Sequence, residues 1–231
     1  MGCDIHIIAE VKENGKWKIN QDRVFLNPYY KEGNGTEMIA VDDYRKDKFQ
    51  TQPDDRRNYD WFAILADVRN GRGFAGIKTG EGFDIIAEPR GVPRDASPEW
   101  KEEVIGWDSD MHSKSWLTIQ DFDKFDWNQV TIKQGVITLA EYKKLRGTNE
   151  CPESWCGSIS GSKIVTLSEE DAGKALDMGM EPKEDVEIHV LYQWSVMYRE
   201  WFKHKIETIV EPLRELTLKY GEARICFGFD N

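Results

Sequence analysis

Residues 4–19, DIHIIAEVKENGKWKI, open with an alternation in which Asp4 and His6 share one parity while Ile5, Ile7, Ala9 and Val11 share the other. That period of two is what a strand with one buried face requires. ENGK at 13–16 then supplies turn chemistry and KWKI resumes extended character, so the stretch predicts a β-hairpin starting at the extreme N-terminus. Chain ends are ordinarily frayed and spent on tolerant polar residues. A thiol, a carboxylate and an imidazole at Cys3, Asp4 and His6 therefore need a reason. Cys3 falls on the apolar side and reads as a small core hydrophobe. Asp4 and His6 are presented together on the other side, as a hard oxygen and a borderline nitrogen at ligand spacing.

The opposite end of the chain, RICFGFDN at 224–231, reads as a second strand with Ile225, Phe227 and Phe229 on one face. Before it, Tyr198, Phe202, Ile206, Ile209, Leu213, Leu216 and Tyr220 recur every three or four residues. This predicts one long amphipathic helix, kinked at Pro212. Two terminal strands with a helix that must pack on a sheet predict a single α+β domain over 1–231. Its mostly antiparallel sheet would hold the N- and C-terminal strands as neighbours. Antiparallel pairing would bring Asp230 beside Asp4 and His6.

Between these ends, residues 27–57 are polar, charge-dense and Gly-punctuated, the profile of a mobile insertion or lid. NYDWFAILADV predicts a helix carrying Trp61, Ile64, Leu65 and Val68, which NGRGFAGIKTGEGF breaks with five glycines in fourteen residues. Further short helices are signalled by Ser97-Pro98, by a Thr138 to Glu141 capping box with Gly147 as stop, and by SEEDAGKALDMG ending at Gly179. VEIHVLYQW, from Val186 to Trp194, alternates as a strand.

Composition bounds the function. Hydrophobic residues make up 39% of the chain and there are nine Trp, enough bulk for a core. The net charge of -11 disfavours duplex nucleic acid and anionic membrane as non-specific partners. No membrane span or secretory signal is visible, which predicts a cytoplasmic protein. Cys151 and Cys156 in CPESWC read as two unrelated thiols rather than a disulfide or half a metal site.

Three constellations carry chemistry. The first is Asp4 and His6, joined through strand pairing by Asp230; with Asp108 they form a candidate ligand set for a divalent metal, Mg, Mn or Zn. D-x-H at a strand start also resembles the first metal motif of calcineurin-like metallophosphoesterases. No GD-x-x-D or GNH[DE] stretch follows, so that fold is not assigned. The second is WDSDMHSKSW at 107–116, where Asp110, His112 and Ser113 are candidate catalytic groups beside Asp108. The third is a basic, Gly-rich stretch in which Arg69, Arg72 and Lys78 sit among glycines that let backbone N–H groups approach an anion. With Arg57 and Asp60 just upstream, it forms a candidate binding set for a small phosphate-bearing ligand. Each group also has a purely structural reading, as a capped turn, a solvated loop or a hydrogen-bonded pair.

MGCDIH at 1–6, RNYDWFAILADVRNGRGFAGIKTG at 57–80, HSKSWLT at 112–118 and FDN at 229–231 together resemble a family of bacteriophage and prophage proteins that begin with MGCDIH. The resemblance spans most of the chain and implies a viral protein acting in the bacterial host cytoplasm. It implies no particular reaction. The residues themselves leave open a metal-dependent hydrolase acting on a phosphate-bearing nucleotide or nucleic acid. They also leave open a nucleotide-binding protein that sequesters a host anti-phage defence signal, and a module that binds a host protein through its acidic surface.

Overall fold

A computed structural model of the chain describes residues 2–30, 46–179 and 185–230. In chain order its elements begin with β1 (Asp4–Glu13), β2 (Lys16–Ile19), β3 (Phe25–Leu26), β4 (Phe49–Gln50), α1 (Tyr59–Ala66) and α2 (Pro98–Trp107). There follow β5 (His112–Thr118), α3 (Ile119–Lys124), β6 (Val130–Thr138), α4 (Leu139–Leu145), β7 (Ile164–Ser168) and α5 (Glu169–Asp177). The chain closes with β8 (Glu187–Met197), α6 (Tyr198–Trp201), α7 (Lys203–Lys205), a π-helical turn at Ile206–Val210, α8 (Glu211–Tyr220) and β9 (Ala223–Asp230). The fold is α+β, and it divides into two compact units. Residues 1–68, 85–126 and 202–231 form the first; 69–84 and 127–201 form the second. Among the described residues no helix is long and apolar enough to cross a membrane. Of the expected 27–57 excursion, residues 31–45 lie outside the described residues, and the β3–β4 ladder belongs to its flanks.

The first unit is built on an antiparallel sheet of order β2-β1-β9-β5, so the two terminal strands are neighbours as the alternation predicts. Asn14 and Gly15 both take positive φ, 51° and 75°, the mirror-image turn whose twist matches a hairpin. Ile5, Ile7, Ala9, Ile225, Phe227 and Phe229 are buried on one face of the sheet. Phe62 of α1 packs on Phe229 at 5.1 Å between ring centroids. The Asn58 side chain caps α1 by accepting from the Trp61 N–H. Every residue of α1 from Trp61 to Ala66 is buried, so this is a core helix rather than an amphipathic one. The opposite face of the sheet is also covered: Cys226 packs with Ala96, Trp100 and Met111, joined by Ile8 and Val104.

Burial on both faces leaves charged side chains inside the unit. Asp54 is 4% exposed and accepts from Lys205 Nζ at 2.9 Å and Arg56 Nε at 2.9 Å. Burial pushes its carboxyl up, but hydrogen bonds from Arg56 and Lys205 and the Lys205 charge outweigh this and hold the pKa below the ordinary carboxylate value. A depressed carboxylate contributes its stability in full above the unfolded value near 3.8 and loses it as pH falls through the lower folded value. We expect Asp54→Asn to flatten the acid limb of a stability curve measured by urea unfolding between about pH 2 and 5.

The long C-terminal helix expected over 198–220 is present from Lys203 to Tyr220 and is interrupted only near its start. Phe202 leaves helical geometry (φ -96°, ψ 9°), and the turn at Ile206–Val210 widens to π before α8. Pro212 has no N–H for the Thr208 carbonyl and its ring crowds that turn, the usual cause of such a widening. Leu213 and Leu216 of α8 keep the expected apolar stripe and are buried.

The second unit holds a three-stranded sheet of order β6-β8-β7, antiparallel between β6 and β8 and parallel between β7 and β8. Thr138 and Ser168 cap α4 and α5 through their hydroxyls. The reciprocal half of the Thr138 box is absent, since Glu141 accepts from the Glu153 N–H instead. Lys133 is 1% exposed and lies 5.2–5.8 Å from the rings of Phe83, Trp155 and Trp201, which take its charge on their faces. Cys151 and Cys156 are free thiols, and burial pushes the Cys151 thiol up.

Glycines of the 70–83 stretch serve close backbone approach. The Asn70 side chain bridges the loop, donating to the Phe83 carbonyl at 2.8 Å and accepting from its N–H at 2.7 Å. A Cβ at Gly80, where φ is +152°, would stand 2.4 Å from the Ile132 carbonyl oxygen. That neighbour is backbone and cannot step aside. Gly80→Ala is therefore expected to destabilise the second unit by about 1–3 kcal/mol, read as a lower midpoint in thermal unfolding.

Candidate active site

In the first unit, the β1–β9 register sets Asp4 opposite Asp230 and His6 opposite Gly228. Residues opposite one another share a face, so Asp4, His6 and Asp230 emerge together while Ile5 and Phe229 point into the core. Over their face lies α2, started by the Ser97 cap and Pro98, with Trp100, Glu103 and Trp107 on one helical side at positions i, i+3 and i+7.

His6 is held by this helix. Its Nδ1 meets Glu103 Oε1 at 2.9 Å, and the same oxygen accepts from Trp107 Nε1 at 3.1 Å. The indole also leans on the imidazole, with centroids 4.3 Å apart and planes tilted by 52°. On its other side His6 Nε2 stands 3.5 Å from Asp230 Oδ2. That is an ion-pair distance without hydrogen-bond geometry, for this buried Nε2 makes no hydrogen bond. Asp230 Oδ1 accepts the Asp4 N–H at 2.9 Å, and Asp4 receives Arg57 in a two-pronged pair at 2.9 and 2.8 Å. This hydrogen bond holds the Arg57 guanidinium above its ordinary pKa.

The opening motif is now explained residue by residue. A Cβ at Gly2 would stand 2.6 Å from both terminal nitrogens of Arg57, so only glycine lets the guanidinium lie there undisturbed. Cys3 is fully buried, as its parity predicts. Asp4 takes Arg57, and His6 takes Glu103.

These groups line a cleft of about 630 Å³. Its carboxylates are Asp4, Asp55, Glu103 and Asp230, its guanidiniums Arg56 and Arg57, and its aromatic walls Tyr29, Trp100 and Trp107. Among the described residues, four lining carboxylates face two guanidiniums, an excess of two negative charges not counting His6. Among the described residues no Ser, Thr or Cys lines the cleft.

Of the residues expected to form a site, Asp4, His6, Asp230 and Arg57 come together. Asp60 sits in the first turn of α1, outside the cleft lining. Asp108, Asp110, His112 and Ser113 also lie outside it. Asp108 and Asp110 are exposed in the turn that follows α2. His112 pairs with Phe229 and so shares the face of Ile5, with the sheet between it and His6. Its Nδ1 lies 3.1 Å from Ser113 Oγ, and Ser113 adopts φ +47° at the bulge that interrupts β5. Arg69, Arg72 and Lys78 belong to the second unit. Glu103 escaped sequence reasoning, although its spacing from Trp100 and Trp107 marks it as the acid on the apolar side of α2.

Among the described residues no three His, Cys, Asp or Glu side chains are gathered as a group able to hold a metal ion. Asp4 is engaged by Arg57 and His6 by Glu103. As placed, the donors do not make a resident metal centre. Asp4 and Asp230 are set opposite one another by the β1–β9 register, and each already accepts a hydrogen bond. No protein-family model, curated protein or solved structure matches this chain.

Proposed function

We propose that the cleft around His6 binds a phosphate-bearing nucleotide, or the end of a nucleic acid, together with its divalent cation, and hydrolyses it with water. The observation that carries this reading is His6 itself: an imidazole oriented at Nδ1 by Glu103 and flanked at Nε2 by Asp230, on the wall of a cleft with two arginines. Arg56 and Arg57 offer charge-assisted donors to phosphate oxygens. Tyr29 and Trp107 offer aromatic faces to a base. The excess of carboxylates among the described lining residues disfavours a bare polyphosphate, so the substrate would be the cation-bearing form, its cation carried on the phosphates near Asp230. Bound there, the cation would offset phosphate charge. His6, with Nδ1–H on Glu103, would take a proton from water at Nε2 once ligand binding uncovers that buried atom, and Asp230 would stabilise the imidazolium that results. The resemblance to phage and prophage proteins supports the bacterial cytoplasm as the setting.

The three aromatic walls favour a second reading in which a nucleotide is held unaltered, as sequestration of a defence signal requires. Incubation with Mg²⁺ and a panel of linear and cyclic nucleotides, followed by ³¹P NMR and thermal melting, separates the two. New phosphorus resonances support hydrolysis; a raised melting temperature without product supports retention. Neither change across the panel would sink both.

A further inference from the structure

We infer that the cleft beside Arg224 is a second binding site, for a neutral planar ring amide of the pyrimidine-base type whose carbonyl oxygen accepts from Arg224 Nη2. This cleft of about 350 Å³ lies in the first unit, within the size range of small-molecule sites, and shares no lining residue with the His6 cleft. Nothing in the inference depends on what the His6 cleft does.

The unsatisfied donor comes first. Sheet register puts Lys12, Trp17, Trp116 and Arg224 on one face, and all four line the cleft. The Arg224 side chain is 3% exposed and donates from Nε to Glu10 at 2.6 Å and from Nη1 to Asp95 at 3.0 Å. Its Nη2 is buried and makes no hydrogen bond. A buried donor left in this state costs free energy, and a ligand oxygen placed on it recovers that cost.

Charge and shape then select the ligand. Among the described lining residues Lys12 and Arg224 are balanced by Asp95 and Glu222, with Lys12 on Glu222 at 2.8 Å. Glu10 adds a further carboxylate against the guanidinium from behind, so an anion at Nη2 meets net negative charge. The acceptor that fits is a neutral carbonyl. The guanidinium lies 3.8 Å from the Trp17 ring centroid and 5.6 Å from that of Trp116, so the oxygen is presented between indoles, which favour a flat ring. Exposed Gln120 of α3 adds an amide to the wall, suited to a ring N–H. Since Nη2 is closed to water, seating the oxygen requires a shift of Trp17, the lining indole carried by the edge strand β2.

The test titrates uracil into the ¹⁵N-labelled full chain and follows the indole N–H resonances by NMR. Saturable shifts at Trp17 and Trp116 are expected. Orotate, the same ring with a carboxylate, and pyrimidine, the ring without a carbonyl, should each bind at least about tenfold more weakly, the worth of one hydrogen bond from a charged donor. Arg224→Lys keeps a cation for Glu10 and Asp95 but lacks the third donor, and should raise the Kd for uracil by a similar factor. Gln120→Phe, an exposed substitution that narrows the cleft, should do the same without lowering the melting temperature, and it decides the matter if Arg224→Lys fails to fold. No saturable shift with uracil overturns the site. Orotate binding as tightly as uracil overturns the neutral acceptor, and pyrimidine binding as tightly overturns the role of Nη2. Shifts confined to the Trp107 indole would put the probe in the His6 cleft and overturn the second site.

Discussion

Replacing His6 by Ala is expected to lower kcat for nucleotide hydrolysis by about 10²–10⁴-fold with little change in KM, the usual worth of a positioned acid–base group. On the proposed reading Arg56 and Arg57, not His6, supply the donors for substrate, so binding should survive. Circular dichroism should be close to wild type, because the face of β1 that carries Ile5, Ile7 and Ala9 is untouched, and a modest drop in melting temperature should mark the lost contacts with Glu103 and Trp107. Glu103→Gln should also lower kcat, and should displace the pH–rate profile. The amide can turn its NH₂ toward Nδ1 and hold the ring in the wrong tautomer. On the proposed reading Glu103 would act through His6 as a positioning residue. Full activity in His6→Ala would remove this imidazole from the chemistry.

The largest effect on stability is expected at Glu10. This carboxylate is fully buried on β1 and accepts from the Ser97 N–H at 2.7 Å and Arg224 Nε at 2.6 Å, with Cys226 Sγ at 3.3 Å. Arg224 is itself 3% exposed, stacked 3.8 Å from the Trp17 ring, and donates its other arm to Asp95. Burial and the Glu10 charge push the Cys226 thiol well up, so it stays a neutral donor. Glu10→Leu strands the guanidinium and the Ser97 N–H away from water and should cost about 3–5 kcal/mol. Adding Arg224→Met should recover much of that loss, since an apolar pair of similar volume removes both desolvation penalties. Urea unfolding of the two variants measures both numbers. A double variant no more stable than Glu10→Leu would show that the penalty lies in packing rather than in the buried charge.

Much of this frame is legible in the sequence because it is written in periods of two. Alternation at 4–11 and 224–231 predicts the paired terminal strands, and their antiparallel register brings Asp230 to Asp4 and His6. Face parity likewise separates Cys3 from its neighbours. Other features depend on relations that no local pattern holds. Glu103 stands among Glu99, Glu102 and Glu103 on α2, and only docking of the helix on β1 singles it out. WDSDMHSKSW is dense in reactive side chains, yet the bulge in β5 and the pairing of His112 with Phe229 turn its histidine to the other face. The Gly-rich stretch after α1 has the composition of an anion loop, while its glycines at 71, 80 and 82 are each required by close backbone or side-chain contact. The break at Phe202 divides a continuous helical pattern between two units, since periodicity records which face is apolar and not which core it enters.

The most direct measurement is anomalous diffraction from crystals grown with Mn²⁺ and a non-hydrolysable nucleoside triphosphate analogue. The expected result is phosphate density at Arg56 or Arg57 within the cleft, manganese on those phosphates, and His6 still on Glu103. Ligand and manganese bound elsewhere, with the cleft around His6 unchanged, would contradict it.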